Sequence, residues 1–222
     1  MYAFNSTTGK ISWKFQAIDA DSGTNAQVRA VSKDGGTAHF SAGRALYALD
    51  AATGKLKWAV QTKQVMYTSP AIAPDGTVVY GASRGGVARA ISVEGRELWN
   101  ASLGVFASTM GAITDDGKHV LLVSKTGLAK VEIATGNVVW NSARGGNVQS
   151  AAIVIDAASV VWATTGHGVD MTDGTGNTTN CDIRADIHDG SGFSSIGAAT
   201  LAADGVILQL SIHGMLKALT AG

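Results

Sequence analysis

The sequence is short of most features that would point directly to an activity. It has a single cysteine, Cys181, so no disulfide can form within the chain. It has two prolines in 222 residues, which excludes a proline-rich disordered composition. Charged residues make up only 15% of the chain, and 17 basic side chains balance 17 acidic ones. A net charge of zero argues against a nucleic acid or an anionic membrane held by bulk charge. No long apolar run occurs, so no membrane-spanning helix is predicted. The opening "MYAFNSTTGK" lacks a basic segment followed by an apolar stretch, so it is not read as a signal peptide. The histidines outside the Thr178–Ser195 stretch, His39, His119, His167 and His213, share no spacing with a serine or a carboxylate, and no Ser-His-Asp or Cys-His pattern stands out.

What the chain has in abundance is glycine, with 28 residues, alongside many small and β-branched side chains. That composition suits short strands joined by tight turns. The chain also repeats itself. "YAFNSTTGKISW", "YALDAATGKLKW", "ARAISVEGRELW" and "AKVEIATGNVVW" share a turn glycine, at Gly9, Gly54, Gly95 and Gly136, spaced by 45, 41 and 41. Trp13, Trp58, Trp99 and Trp140 each follow their glycine by four positions. A worn copy keeps Gly176 but has Asn180 in place of the tryptophan. A second ladder of turns runs through Asp34-Gly35, Asp75-Gly76, Asp116-Gly117, a weakened Asp156-Ala157, and Asp204-Gly205. A third consists of Gly43, Gly86, Gly127, Gly168 and Gly214.

Three turn signals per unit of about 42 residues divide each unit into four strands. In one unit, "PAIA", "TVVYGAS", "VARAIS" and "RELWN" are separated by Pro74-Asp75-Gly76, Arg84-Gly85-Gly86 and Val93-Glu94-Gly95. No helical period of useful length competes with this reading. A four-stranded antiparallel meander repeated at this period predicts an all-β chain, a β-propeller of about five blades. Complete blades are expected near residues 25–60, 66–101, 107–143 and 147–181, with partial ones at 2–15 and 195–222. Residues 2–15 supply the last strand missing from the final unit, which allows a closed five-blade ring. They also duplicate its third strand, which favours a fragment of a larger propeller of seven or eight blades.

Ala48, Asp50, Thr53, Gly54 and Trp58 spell A-x-D-x-x-T-G-x-x-x-W. This resembles the tryptophan-docking motif of the quinoprotein-type, or pyrroloquinoline-quinone (PQQ) repeat, propellers. The resemblance recurs through nearly the whole chain and implies that Gly9/Trp13, Gly54/Trp58, Gly95/Trp99 and Gly136/Trp140 form a structural latch between blades. It also implies two functional expectations. The first is a noncatalytic scaffold that binds a protein partner, resembling the propeller lipoproteins of outer-membrane assembly and placed outside the cytoplasm. The second is a fragment of a PQQ- and Ca²⁺-dependent alcohol or sugar dehydrogenase. A lone cysteine cannot supply the adjacent-cysteine disulfide common in such enzymes, and acidic residues fall mostly in turns. No catalytic residue, cofactor or metal is therefore predicted, and the scaffold is favoured, with self-association expected if the propeller is open. The one irregular stretch, Thr178–Ser195, gathers Asp182, Asp186, His188 and Asp189. These are weak candidates for a metal, since hard cations want several oxygens, against the blander reading of a polar surface insertion.

Overall fold

The computed structural model describes residues 1–18, 27–63, 66, 69–81, 86–104, 111–124, 127–142, 153–155, 159–165, 168–181, 196–201, 206–211 and 216–220. All described secondary structure is β. A hairpin of β1 (Tyr2–Phe4) and β2 (Ile11–Lys14) comes first. The first full sheet is β3 (Gln27–Val31), β4 (Thr37–Ala42), β5 (Ala45–Asp50) and β6 (Leu56–Gln61). The second is β7 (Pro70–Ile72), β8 (Val78–Tyr80), β9 (Val87–Ile91) and β10 (Glu97–Ser102). The third is β11 (Ala112–Ile113), β12 (His119–Ser124), β13 (Gly127–Glu132) and β14 (Val138–Asn141). The fourth is β15 (Ile153–Ile155), β16 (Val161–Thr165), β17 (Gly168–Thr172) and β18 (Thr178–Cys181). A three-stranded sheet of β19 (Ile196–Leu201), β20 (Val206–Ser211) and β21 (Leu216–Thr220) ends the chain.

Every sheet is an antiparallel meander in which neighbours in sequence are neighbours in space. The first strands of successive sheets lie side by side, β3 by β7, β7 by β11, β11 by β15 and β15 by β19. The sheets therefore radiate from a common inner edge, with the fourth strand outermost. Burial follows that order: β4 and β5 are almost wholly buried, whereas β6 and β14 are largely exposed.

Side chains alternate between the two faces of a strand, and here both faces are covered by neighbouring sheets. Tyr47 and Leu49, with Phe40, pack back against Trp13, Phe15 and Met1 of the first hairpin. Leu46, one position off, packs forward with Met66, Val78, Tyr80 and Ile91 of the second sheet. Two-sided burial is why "TVVYGAS" reads as a continuous apolar run with no polar alternation.

Among the described residues the sheets do not close into a ring. Among the described residues β1 and β2 pair only with each other, and β19–β21 remain three strands. The five-blade ring completed by β2 is therefore not adopted. The first hairpin packs Met1, Trp13 and Phe15 on the first full sheet, against Phe40, Tyr47 and Leu49.

Candidate functional site

The repeated feature of the molecule is the seam between successive sheets. It is built from the hairpin joining the third and fourth strands. In the first three hairpins with a Thr-Gly turn, a side chain just before the turn closes it. Asn5 Oδ1 accepts from the N–H groups of Thr7 and Thr8 at 3.0 and 2.8 Å. Asp50 Oδ1 accepts the N–H and hydroxyl of Thr53 at 2.8 and 2.7 Å. Glu132 accepts the Thr135 hydroxyl. Hydrogen bonds to the ionised form hold the Asp50 carboxyl below its ordinary range, with the Thr53 hydroxyl the largest cause. The glycine then takes a positive φ, +72° at Gly54, +85° at Gly95 and +77° at Gly136.

A β-bulge follows in each of these hairpins. Trp13, Trp58, Trp99 and Trp140 sit opposite Ala3, Ala48, Ala90 and Lys130, and the register slips by one residue immediately before each tryptophan. The extra residues are Ser12, Lys57, Leu98 and Val139. A bulge re-aims the side chain beside it. Here it places each indole on the face turned toward the next sheet.

Each indole meets the glycine of the following unit. A Cβ built on Gly54 would lie 2.6 Å from Trp13, one on Gly95 2.6 Å from Trp58, and one on Gly136 2.7 Å from Trp99. Glycine is required at these positions twice over, by φ and by the ring lying on its Cα. The indole Nε1–H then donates to a turn carbonyl: Trp13 to Ala51 at 2.9 Å, Trp58 to Val93 at 2.9 Å, and Trp99 to Ile133 at 2.6 Å. The fourth seam is looser. Trp140 lies 3.0 Å from a Cβ placed on Gly176, and its buried Nε1 has no hydrogen-bond partner among the described residues. The hairpin that carries Gly176 has lost both the tryptophan and the bulge, for Asp170 faces Asn180 and Met171 faces Thr179 in unbroken register.

The turns between first and second strands use carboxylates in the same way. Asp34, Asp75 and Asp116 each accept the backbone N–H two residues on, at 2.9, 2.8 and 2.9 Å. The Thr114 hydroxyl, then the Lys118 N–H, hold Asp116 down at about 2. Asp173 caps its own turn through Thr175 and Asn177. These carboxylates are committed locally. Among the described residues no group of three or more His, Cys, Asp or Glu could hold a metal. Asp182, Asp186, His188 and Asp189 lie outside the described residues. Cys181 ends β18 opposite Val169.

Of the histidines that the sequence left without a role, His39 is buried. His39 on β4 is 3% exposed, its Nδ1 has no partner among the described residues, and its ring centroid is 5.6 Å from that of Trp58. Burial, with a smaller contribution from the Lys57 ammonium, pushes it down to about 4. Its only sequence signal was a histidine inside an apolar strand, which periodicity cannot separate from an exposed one.

Comparison with known proteins bears on these seams. The family model described as outer membrane protein assembly factor BamB matches residues 1–184 and again 67–214. Overlapping matches are expected where one repeat aligns in more than one register. No curated protein matches the sequence. Among solved structures, BamB from Moraxella catarrhalis superposes with a TM-score of 0.73 at 21% identity, covering 96% of this chain and 62% of that one. The computationally designed Ika8 protein gives 0.73 at 14% identity, covering 97% of this chain and 63% of that one. The chain thus spans under two thirds of the length of either structure, and at these identities the likeness is one of fold. The family match covers most of the sequence, and the chain belongs to the BamB family of PQQ-repeat β-propellers.

Proposed function

We propose that this chain is a noncatalytic propeller scaffold that binds a protein partner in outer-membrane protein assembly, on the extracytoplasmic side. The observation that carries this reading is the BamB family match over residues 1–184. The chemistry of the described residues agrees with it. Their well-placed carboxylates at Asp34, Asp50, Asp75, Asp116 and Asp173 are held by their own turns. Carboxylates already committed to their own turns do not make a donor set for a Ca²⁺-bound quinone among the described residues. No helix among the described residues is long and apolar enough to cross a membrane.

The test is a photo-crosslinking scan. Crosslinkers are placed at exposed turn positions on the two rims, such as Glu94 on one and Arg44 on the other, and the protein is incubated with solubilised outer-membrane fractions. A discrete, saturable adduct from one rim, competed by unlabelled protein, is the expected result. Adducts that are equal from both rims and not competed would overturn the scaffold reading. A parallel arm adds pyrroloquinoline quinone and Ca²⁺ with an electron-accepting dye. Dye reduction would assign the dehydrogenase reading instead.

A further inference from the structure

Three features recur in the first three seams. The residue opposite each indole is alanine: Ala3, Ala48 and Ala90. The Nε1–H of Trp13, Trp58 and Trp99 donates to a carbonyl of the facing turn. Each hairpin that receives an indole, at Gly54, Gly95 and Gly136, contains a bulge of its own. The fourth seam, between the third and fourth sheets, has none of the three.

Lys130 takes the place of the alanine. It lies opposite Trp140 on one side and Leu121 on the other, and Leu121 packs on Val161 and Ala163 of the fourth sheet. The face that carries Lys130 is therefore turned into the seam. Lys130 is half-buried and makes no ion pair among the described residues. A cation held at an apolar boundary without a counter-ion weakens that boundary. The Trp140 Nε1–H is buried and has no acceptor among the described residues. The group that stabilises the other seams thus opposes the closing of this one.

The hairpin that receives Trp140 is sound in itself. The Gly176 N–H donates to the Asp173 carbonyl at 3.1 Å, and Asp173 Oδ1 caps the turn through the N–H groups of Thr175 and Asn177. The Gly95 turn is closed in the same way, on Ser92 at 3.0 Å, and it presents the Val93 carbonyl to Trp58. The two hairpins differ in their pairing. The strand after Gly95 is bulged, whereas Thr178–Cys181 runs in unbroken register. A bulge bends its strand and adds twist. Without one, the turn carbonyl is not delivered to the indole. What holds the seam is apolar contact among Leu121, Leu128, Val161 and Ala163. Such contact is non-directional and tolerates sliding where a hydrogen bond does not.

We propose that the fourth seam is a hinge, at which the fourth sheet swings against the body formed by the first hairpin and the first three sheets, without unpairing its own strands. The three-stranded sheet travels with the fourth, because β19 lies against β15 and β16. The three latched seams stay closed while this one opens, so the motion is confined to one boundary of the array.

The experiment uses the full chain with one alanine at a time changed to cysteine. Labelling by N-ethylmaleimide is read peptide by peptide, so that the native Cys181 is counted apart. Ala129→Cys reports the third seam and Ala163→Cys the fourth. Both alanines lie on seam faces, at 0% and 2% exposure. Far below the urea midpoint, Ala163→Cys is expected to react at least about tenfold faster, the equivalent of roughly 1.4 kcal/mol. Amides of β16 and β17 should exchange with deuterium more slowly than the thiol reacts, because the sheet swings intact. Trp99→Phe should speed labelling at Ala129→Cys, and Trp140→Phe should leave labelling at Ala163→Cys unchanged. Equal rates at the two cysteines would overturn the proposal. Amides of β16 and β17 that exchange as fast as the thiol reacts would overturn it too, since the fourth sheet would then be unfolding. So would an acceleration by Trp140→Phe equal to that by Trp99→Phe.

Discussion

Trp99 Nε1–H donates to the carbonyl oxygen of Ile133 at 2.6 Å, across the boundary between the second and third sheets, while its ring lies on Gly136. The residues are 34 apart in sequence, and one contact ties two blades together. That contact combines the burial of a large ring with satisfaction of its one polar group.

Trp99→Ala should therefore be among the most damaging single changes, costing about 3–5 kcal/mol as expected for a buried aromatic truncation. Trp99→Phe keeps much of the ring area and strands the Ile133 carbonyl, for about 1–2 kcal/mol. Trp140→Phe should cost clearly less than Trp99→Phe, because the Trp140 N–H has no acceptor to lose among the described residues. Urea unfolding of the three variants gives the ranking, and equal costs for the two phenylalanine variants would refute it.

Glycine at the seam is constrained by φ and by contact, and the two can be separated. Gly9→Ala meets only the strain of a left-handed backbone, about 1–2 kcal/mol. Gly136→Ala meets that strain and the Trp99 ring 2.7 Å away, and should cost at least about 1 kcal/mol more. Combining Gly136→Ala with Trp99→Ala should be less harmful than the sum of the single changes, since removing the ring relieves the clash. Additive costs in a double-mutant cycle would show that the ring moves aside freely.

His39 makes stability depend on pH in a defined window. Its folded value is about 4, below the ordinary 6.5, so the unfolded chain binds more protons between those values. Stability is then complete above about pH 6.5 and falls as the pH drops toward 4, by at most about 3 kcal/mol from this group. Lys57 is the one charged neighbour acting on it, and its charge is constant across the window. His39→Leu should flatten the difference in urea midpoint between pH 7.5 and pH 4.5. A slope unchanged in that variant would place the dependence elsewhere.

Asp116 should titrate near 2, because the Thr114 hydroxyl and the Lys118 N–H both favour its ionised form. Carboxyl-detected NMR across pH 1.5–5 reads the midpoint directly. Thr114→Val removes the largest cause and should move the midpoint upward.

Local chemistry wrote the architecture into the sequence. Turn glycines recurring at 45, 41 and 41 positions, Asp-Gly turns in phase with them, and short apolar runs between required a repeated four-stranded meander. These signals survive without a structure because a turn needs its residue types at fixed offsets. The fixed distance from glycine to tryptophan was visible too, but its cause was not. The offset contains a bulge, at Ser12, Lys57, Leu98 and Val139, and the bulge exists only in the pairing of two strands. Nor could the sequence say which glycine each indole meets, since Trp99 is four residues from Gly95 and rests on Gly136.

The burial of His39 and the lack of an acceptor for Trp140 among the described residues were likewise decided by tertiary structure alone. Each depends on what lies on the far side of a sheet. The sequence by itself determined the strands, turns and repeat, because those follow from interactions a few residues apart. Packing sheet on sheet determined the direction of the seams, because those interactions join residues a whole blade apart.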